Sequence, residues 1–151
     1  MTFYRERLWA SVWLFLATAL VIPASLLVFL PIDTRIGAAV AVLLYAGCVA
    51  VLIVNSPVIE VRDEIFRAGR ASLPIRFVGE VTAYREPDAT AERGPRLDAR
   101  AWLLIRGWIA PVVKVELTDP EDPTPYWVVS TRHPEKVVEA LARAKQTWKQ
   151  T

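Results

Sequence analysis

The chain has 151 residues, 54% of them hydrophobic, with a formal net charge of +2 and a single cysteine. So balanced a charge argues against a nucleic-acid binder, which meets the phosphate backbone with a clear excess of Lys and Arg. One cysteine excludes a disulfide framework or a thiolate metal cluster, and the length suits one or two small units.

Taken in order, Met1 to Arg7 brings Arg5 and Arg7 up to an uncharged run, Leu8 to Leu30. Pro31-Ile32-Asp33-Thr34-Arg35 separates it from a second uncharged run, Ile36 to Val54. Each run suits a helix crossing a hydrocarbon core, which takes roughly 20 apolar residues. Lipid offers the backbone no hydrogen bonds, so helix is the form expected of both. The first run exceeds the roughly 7–15 residues of a signal-peptide core, and a second follows at once, which favours an uncleaved anchor. A transmembrane hairpin is therefore expected over residues 1–55, with helices at 8–30 and 36–54.

Trp9 and Trp13, four apart, are predicted to share a helix face and anchor it at the membrane interface. Pro23 removes one ladder hydrogen bond and predicts a kink. Gly37 and Ala41 form a small-xxx-small pair that permits close approach of a neighbouring helix, from this chain or from another copy. No charge lies within either run, which argues against an ion pathway. The short connection puts both outer ends on one side. Arg5 and Arg7 before the hairpin and Arg62, Arg67 and Arg70 after it, against Arg35 alone in the loop, predict cytoplasmic termini and a place in the plasma membrane.

After Asn55 come 15 basic and 14 acidic side chains, an ordinary water-soluble mixture. A cytoplasmic domain is expected over residues 56–151, large enough for its own core. Val58–Arg62 and Ile65–Ala68 read as strands about a turn at Asp63-Glu64, which lacks the glycine of a tight hairpin and so predicts a wider one. Gly69 and Pro74 punctuate the chain before a strand at 77–84. Glu86 to Arg100, with two prolines and many charges, reads as a loop with room for a helical turn. Strands follow at 101–106, buried on both faces or nearly so, at 113–117 and at 126–130, the last two joined through the proline-rich acidic turn Asp119–Pro125. Pro134 opens a helix whose Val137, Leu141, Ala144 and Trp148 make one apolar stripe. The expected fold is α+β: a small bent sheet or partly open barrel of about six strands capped by a C-terminal helix.

That order resembles the pleckstrin-homology-like domains that follow paired membrane spans in bacteria. Three stretches carry a narrower resemblance: Tyr4-Arg5-Glu6-Arg7-Leu8-Trp9, Thr118-Asp119-Pro120 running to Pro125-Tyr126-Trp127, and Ser130-Thr131-Arg132 before Pro134. On these the chain resembles a family of small uncharacterised actinobacterial membrane proteins. The resemblance implies an architecture, two N-terminal spans and then the pleckstrin-homology-like domain, and no chemistry.

His133 is the only histidine, so no Ser/His/Asp or Cys/His set can be assembled, and its place before Pro134 suits a helix cap or an exposed side chain. Asp119, Glu121 and Asp122 match no calcium loop and read as a solvated turn. Adjacent strand residues face opposite ways, which puts at least one of Tyr126 and Trp127 in the core. Arg62, Arg67, Arg70 and Arg76, with Trp108, are the candidates for contact with lipid headgroups or an interface, because the cytoplasmic leaflet is anionic. Glu60, Asp63, Glu64 and Glu80 are interspersed with them, and Trp108-Ile109 equally suits a buried turn. The expectation is a non-catalytic membrane protein with an interaction or scaffold domain, or else a sensor of anionic headgroups. No cofactor, metal or nucleic acid is expected. The expected partners are the lipid bilayer and a protein, or a second copy of the chain.

Overall fold

The computed structural model describes residues 1–150. The chain divides into two units, one of Trp9–Ser56 and the other joining Met1–Leu8 to the chain from Pro57 onward.

The first unit is the hairpin. Its helices are α1 (Val12–Ala19), α2 (Val21–Phe29) and α3 (Thr34–Val54). The stretches Val12–Phe29 and Thr34–Val54 are long and apolar enough to cross a membrane. Ser11 Oγ caps α1 by accepting from the Leu14 N–H, and Asp33 Oδ1 caps α3 by accepting from the Arg35 N–H at 2.7 Å. The break at Leu20 lies one turn before Pro23, whose ring conflicts with the carbonyl four residues back. Gly37 and Ala41 are both buried where α2 and α3 pack. A Cβ on Gly37 would lie 3.0 Å from Phe29 Cβ, so the small pair serves the approach of helices within the hairpin.

The second unit corrects the expected boundary at residue 55. Thr2–Arg7 is a strand, β1, paired antiparallel with β2 (Val58–Arg62), and the Leu8 N–H donates to the Pro57 carbonyl at 2.9 Å. The apolar hairpin is thus an insertion between two neighbouring strands. Leu8 is buried in the core of this unit and Ser11 opens α1, so Trp9 lies outside any helix and does not share a helix face with Trp13.

Strands β2, β3 (Ile65–Ala68) and β4 (Ala71–Pro74) complete a four-stranded antiparallel sheet in the order β1-β2-β3-β4. The β2–β3 turn is tight, because Arg62 pairs with Ile65 and Asp63 takes a left-handed conformation (φ 49°). Aspartate tolerates that region better than most residues. A 3-10 turn at Ile75–Phe77 leads to the second sheet, ordered β5-β7-β8-β6, with β5 at Val78–Tyr84, β6 at Trp102–Leu104, β7 at Val112–Leu117 and β8 at Tyr126–Ser130. Among the described residues there are eight strands in two sheets, where about six were expected. Besides β1, the sequence conceals β4, an edge strand ending on a proline, the position in a sheet where proline is tolerated.

β6 is shorter than the expected 101–106 strand. It pairs parallel to β8, and Leu103 is 42% exposed, so it is not buried on both faces. Gly79 sits where β5 and β7 slip register, and a Cβ there would lie 3.0 Å from Glu116 Cβ.

One core fills the space among the two sheets and α5 (Pro134–Lys149). Leu8, Ile59, Val61 and Phe66 enter it from the first sheet, Val113, Val115, Trp127 and Val129 from the second, and Val137, Leu141 and Ala144 from the helix. Trp148 is 38% exposed and ends the predicted stripe at the surface. Every residue of β8 is buried. Trp127 packs with Trp102 and Phe66 at centroid distances of 4.4 and 6.0 Å on one face. Tyr126 and Val128 meet Ala89 and Leu97 on the other. Ala89 belongs to α4 (Asp88–Arg93), so the 86–100 segment is a folded cover over the far face of the second sheet.

Candidate functional site

The first sheet turns one face to the core and the other to solvent. On its outer face the register sets Arg5 beside Glu60, Glu60 beside Arg67, and Arg67 beside Ser72, so one row crosses all four strands. In the next row Thr2 stands beside Arg62, Arg62 beside Ile65, and Ile65 beside Pro74. A groove of about 550 Å³ opens on this face, with Ile65 and Pro74 as its apolar surface and Glu60, Asp63, Glu64, Arg62, Arg67 and Arg76 as its charged groups.

Three of the four candidate arginines, Arg62, Arg67 and Arg76, therefore converge on one groove. Arg70 does not line it, being placed by the Gly69-Arg70 turn between β3 and β4. Trp108 is also elsewhere: it packs part-buried against the core, and its Nε1 is buried without a hydrogen-bond partner among the described residues. Ile109 is buried in the core, Trp108, Ala110 and Pro111 are half-buried, and Gly107 is exposed.

Charges in the groove differ in how they are held. Asp63 receives the Met1 ammonium and lies 3.4 Å from Arg62 Nε. The Arg76 guanidinium stacks over the Phe77 ring at 4.6 Å, a favourable cation–π arrangement. Among the described residues Glu60, Glu64 and Arg67 make no ion pair, so charges of both signs stand open on this face. Sequence reasoning missed Arg5. Read as a flank of a membrane span, it belongs to the same face as Glu60 and Arg67 once β1 joins the sheet.

Two polar clusters hold the scaffold. Glu6 accepts from Tyr4 Oη at 2.7 Å, Thr131 Oγ1 at 2.5 Å and the Arg132 N–H at 3.1 Å. Burial and the neighbouring Glu6 carboxylate push the Tyr4 phenol well above its ordinary pKa. On the second sheet the buried Glu92 of α4 pairs with Lys114 of β7 at 3.0 Å, and Lys114 Nζ lies 4.2 Å above the Tyr126 ring. Burial works against the ammonium, but Glu92, Tyr126 and Tyr84 outweigh it and raise the Lys114 pKa. Tyr126 Oη accepts from the Asp98 N–H at 2.7 Å, pinning the end of the same segment. Asp119 and Asp122 accept from the Glu121 and Thr124 amides, so these carboxylates close turns. His133 is exposed at the head of α5, where its carbonyl rather than its ring receives the first helical amides.

A family profile described as protein of unknown function (DUF3093) matches residues 3–141. The chain belongs to this family. The match begins within β1 and ends within α5, so the family spans the split domain together with its inserted hairpin. No curated protein and no solved structure matches the chain.

Proposed function

We propose that this DUF3093 protein is a non-catalytic docking module held at the inner face of the cell membrane by its hairpin, with both termini in the cytoplasm. The observation that carries the reading is the groove on the first sheet, where Glu60, Glu64 and Arg67 make no ion pair among the described residues and stand beside exposed Ile65. Charges of both signs around an apolar centre suit a protein surface, because apolar contact supplies affinity and the charges set register. Insertion of the hairpin between β1 and β2 supports the anchoring role. Strand pairing brings its two ends together at Leu8 and Pro57, an arrangement that suits a hairpin whose ends lie on one side of a bilayer. Two antiparallel meanders followed by a helix against the core support the pleckstrin-homology-like reading, with β6 as an addition at the sheet edge.

A photocrosslinking residue at Ile65, in the full chain in native membranes, tests this. A defined adduct at Ile65, absent when the probe replaces Glu139 on the outer side of α5, is the expected result. No adduct at Ile65 would overturn the docking role.

A second reading, recognition of anionic headgroups, is favoured by the three arginines of the groove. Glu60, Asp63 and Glu64 in the same groove weigh against it. Its test is enrichment of phosphatidylglycerol around the purified chain in mixed-lipid nanodiscs, lost with Arg67→Glu; equal enrichment in both proteins removes it.

A further inference from the structure

We propose that the outer face of the first sheet pairs two copies of this chain, about a two-fold axis that runs parallel to β2 and β3 and passes between them. The proposal rests on the docking reading and names its partner.

The argument is one of charge order. Across the four strands the outer row reads Arg5, Glu60, Arg67, Ser72. A two-fold axis between β2 and β3, lying in the plane between facing sheets, exchanges β2 with β3 and β1 with β4 while keeping each row at its own height. Glu60 then faces the partner's Arg67, Arg67 faces the partner's Glu60, and Arg5 faces the partner's Ser72. In the next row the same operation sets Arg62 over the partner's Ile65 and Thr2 over the partner's Pro74. No pair of like charges is opposed in either row. A patch that complements itself under this rotation is what a two-fold interface needs, since both copies present the same surface.

Distances allow it. Facing sheets pack about 10 Å apart, a gap that Arg and Glu side chains bridge when they meet from opposite sides. Among the described residues Glu60 and Arg67 also make no ion pair, although they are neighbours across β2 and β3. Ile65, 44% exposed, is covered in the pair by the aliphatic stem of Arg62, a use to which long basic side chains are suited.

The test uses the full chain in detergent micelles, with protein mass measured by light scattering across a dilution series. The wild type is expected to be a dimer. Glu60→Arg sets arginine against arginine and Arg67→Glu sets carboxylate against carboxylate, so each alone should weaken association at least tenfold. The double variant, Glu60→Arg with Arg67→Glu, restores the order with signs exchanged and should recover the dimer. An equimolar mixture of the two single variants should pair with each other, because both contacts between positions 60 and 67 are then of opposite sign.

A wild type that is monomeric throughout overturns the proposal. So does a dimer that survives both single substitutions, since it must be held elsewhere. Failure of both the double variant and the mixture to recover pairing overturns the charge register even if the single variants dissociate. Docking itself is judged separately: a monomeric chain whose Ile65 probe still captures a different protein loses the self-pairing and keeps the docking role.

Discussion

Thr131 Oγ1 donates to Glu6 Oε2 at 2.5 Å across 125 residues of sequence. The strand that precedes the hairpin is thereby tied to the segment that opens α5, and two of the stretches that carry the family resemblance meet in space. Glu6 is nearly buried and also serves Tyr4 and the Arg132 amide. Replacing it by alanine strands several buried donors, each worth about 1–3 kcal/mol when left unpaired. Glu6→Ala should therefore destabilise the domain by about 3 kcal/mol, and Glu6→Gln, which keeps one acceptor, by about 1 kcal/mol. Urea unfolding followed by tryptophan fluorescence checks the difference; equal losses would mean that the hydrogen bonds are not the cause.

Because Leu8 and Pro57 are joined by a hydrogen bond at the end of paired strands, a short turn can replace the hairpin. A chain in which Asn-Gly links Leu8 directly to Pro57 should fold as a soluble domain, since that dipeptide favours two-residue hairpins. Residues 57–151 alone lack β1, Leu8 and Glu6, and should be much less stable. Circular dichroism melts of the two chains give the answer, and a fragment as stable as the linked chain would contradict the role of β1.

Glu92 and Lys114 hold the 86–100 segment over the second sheet. Removing one partner of a buried pair leaves the other charge uncompensated, a cost of about 3–5 kcal/mol where burial is complete. Lys114 keeps some exposure, so about 2 kcal/mol is expected for Glu92→Ala. Changing both, to Glu92→Gln and Lys114→Met, should cost less than Glu92→Ala alone. Proteolysis between residues 86 and 100 should accelerate in the single variant and much less in the double one.

Arg85 and Glu135 form a two-pronged exposed ion pair at the head of α5, with contacts of 2.6 and 2.8 Å. The Arg85 guanidinium holds the Glu135 carboxyl at about 2, below its ordinary value of 4.5. A folded-state pKa that is depressed adds stability above the unfolded pKa, and this is lost as pH falls through the interval between the two. Melting temperature should therefore fall between about pH 4.5 and about pH 2 more steeply in the wild type than in Glu135→Gln. Salt should shrink the difference, because the pair is exposed.

Much of the local structure was legible in the sequence. Val113, Val115 and Leu117 alternate with polar neighbours, and Val137, Leu141 and Ala144 recur at helical spacing, because each element has one wet face and one dry one. β8 and its opposite-facing Tyr126 and Trp127 were legible as well. β1 was not, since its charged residues sit beside a membrane-length run whose apolar signal dominates any window that includes both. β4 was hidden by Pro74, and the tightness of the Asp63-Glu64 turn by the want of a glycine. For the site, the sequence named Arg62, Arg67 and Arg76 but could not separate them from Arg70 and Trp108, because convergence on one face depends on strand register.

By itself the sequence determined what one-dimensional chemistry controls: two helices long and apolar enough to cross a membrane, a charged domain of strands, and an amphipathic helix at the end. Solvent preference along the chain is enough for that, since burying an apolar run or wetting a charged one has the same sign wherever the element goes. Only the tertiary structure decided that Met1–Leu8 belongs to the domain, that the hairpin interrupts a pair of strands, and that Arg5, Glu60 and Arg67 stand in one row. The placing of β1 rests on hydrogen bonds between backbone segments some fifty residues apart, and such bonds are blind to side-chain type, so no local pattern records it.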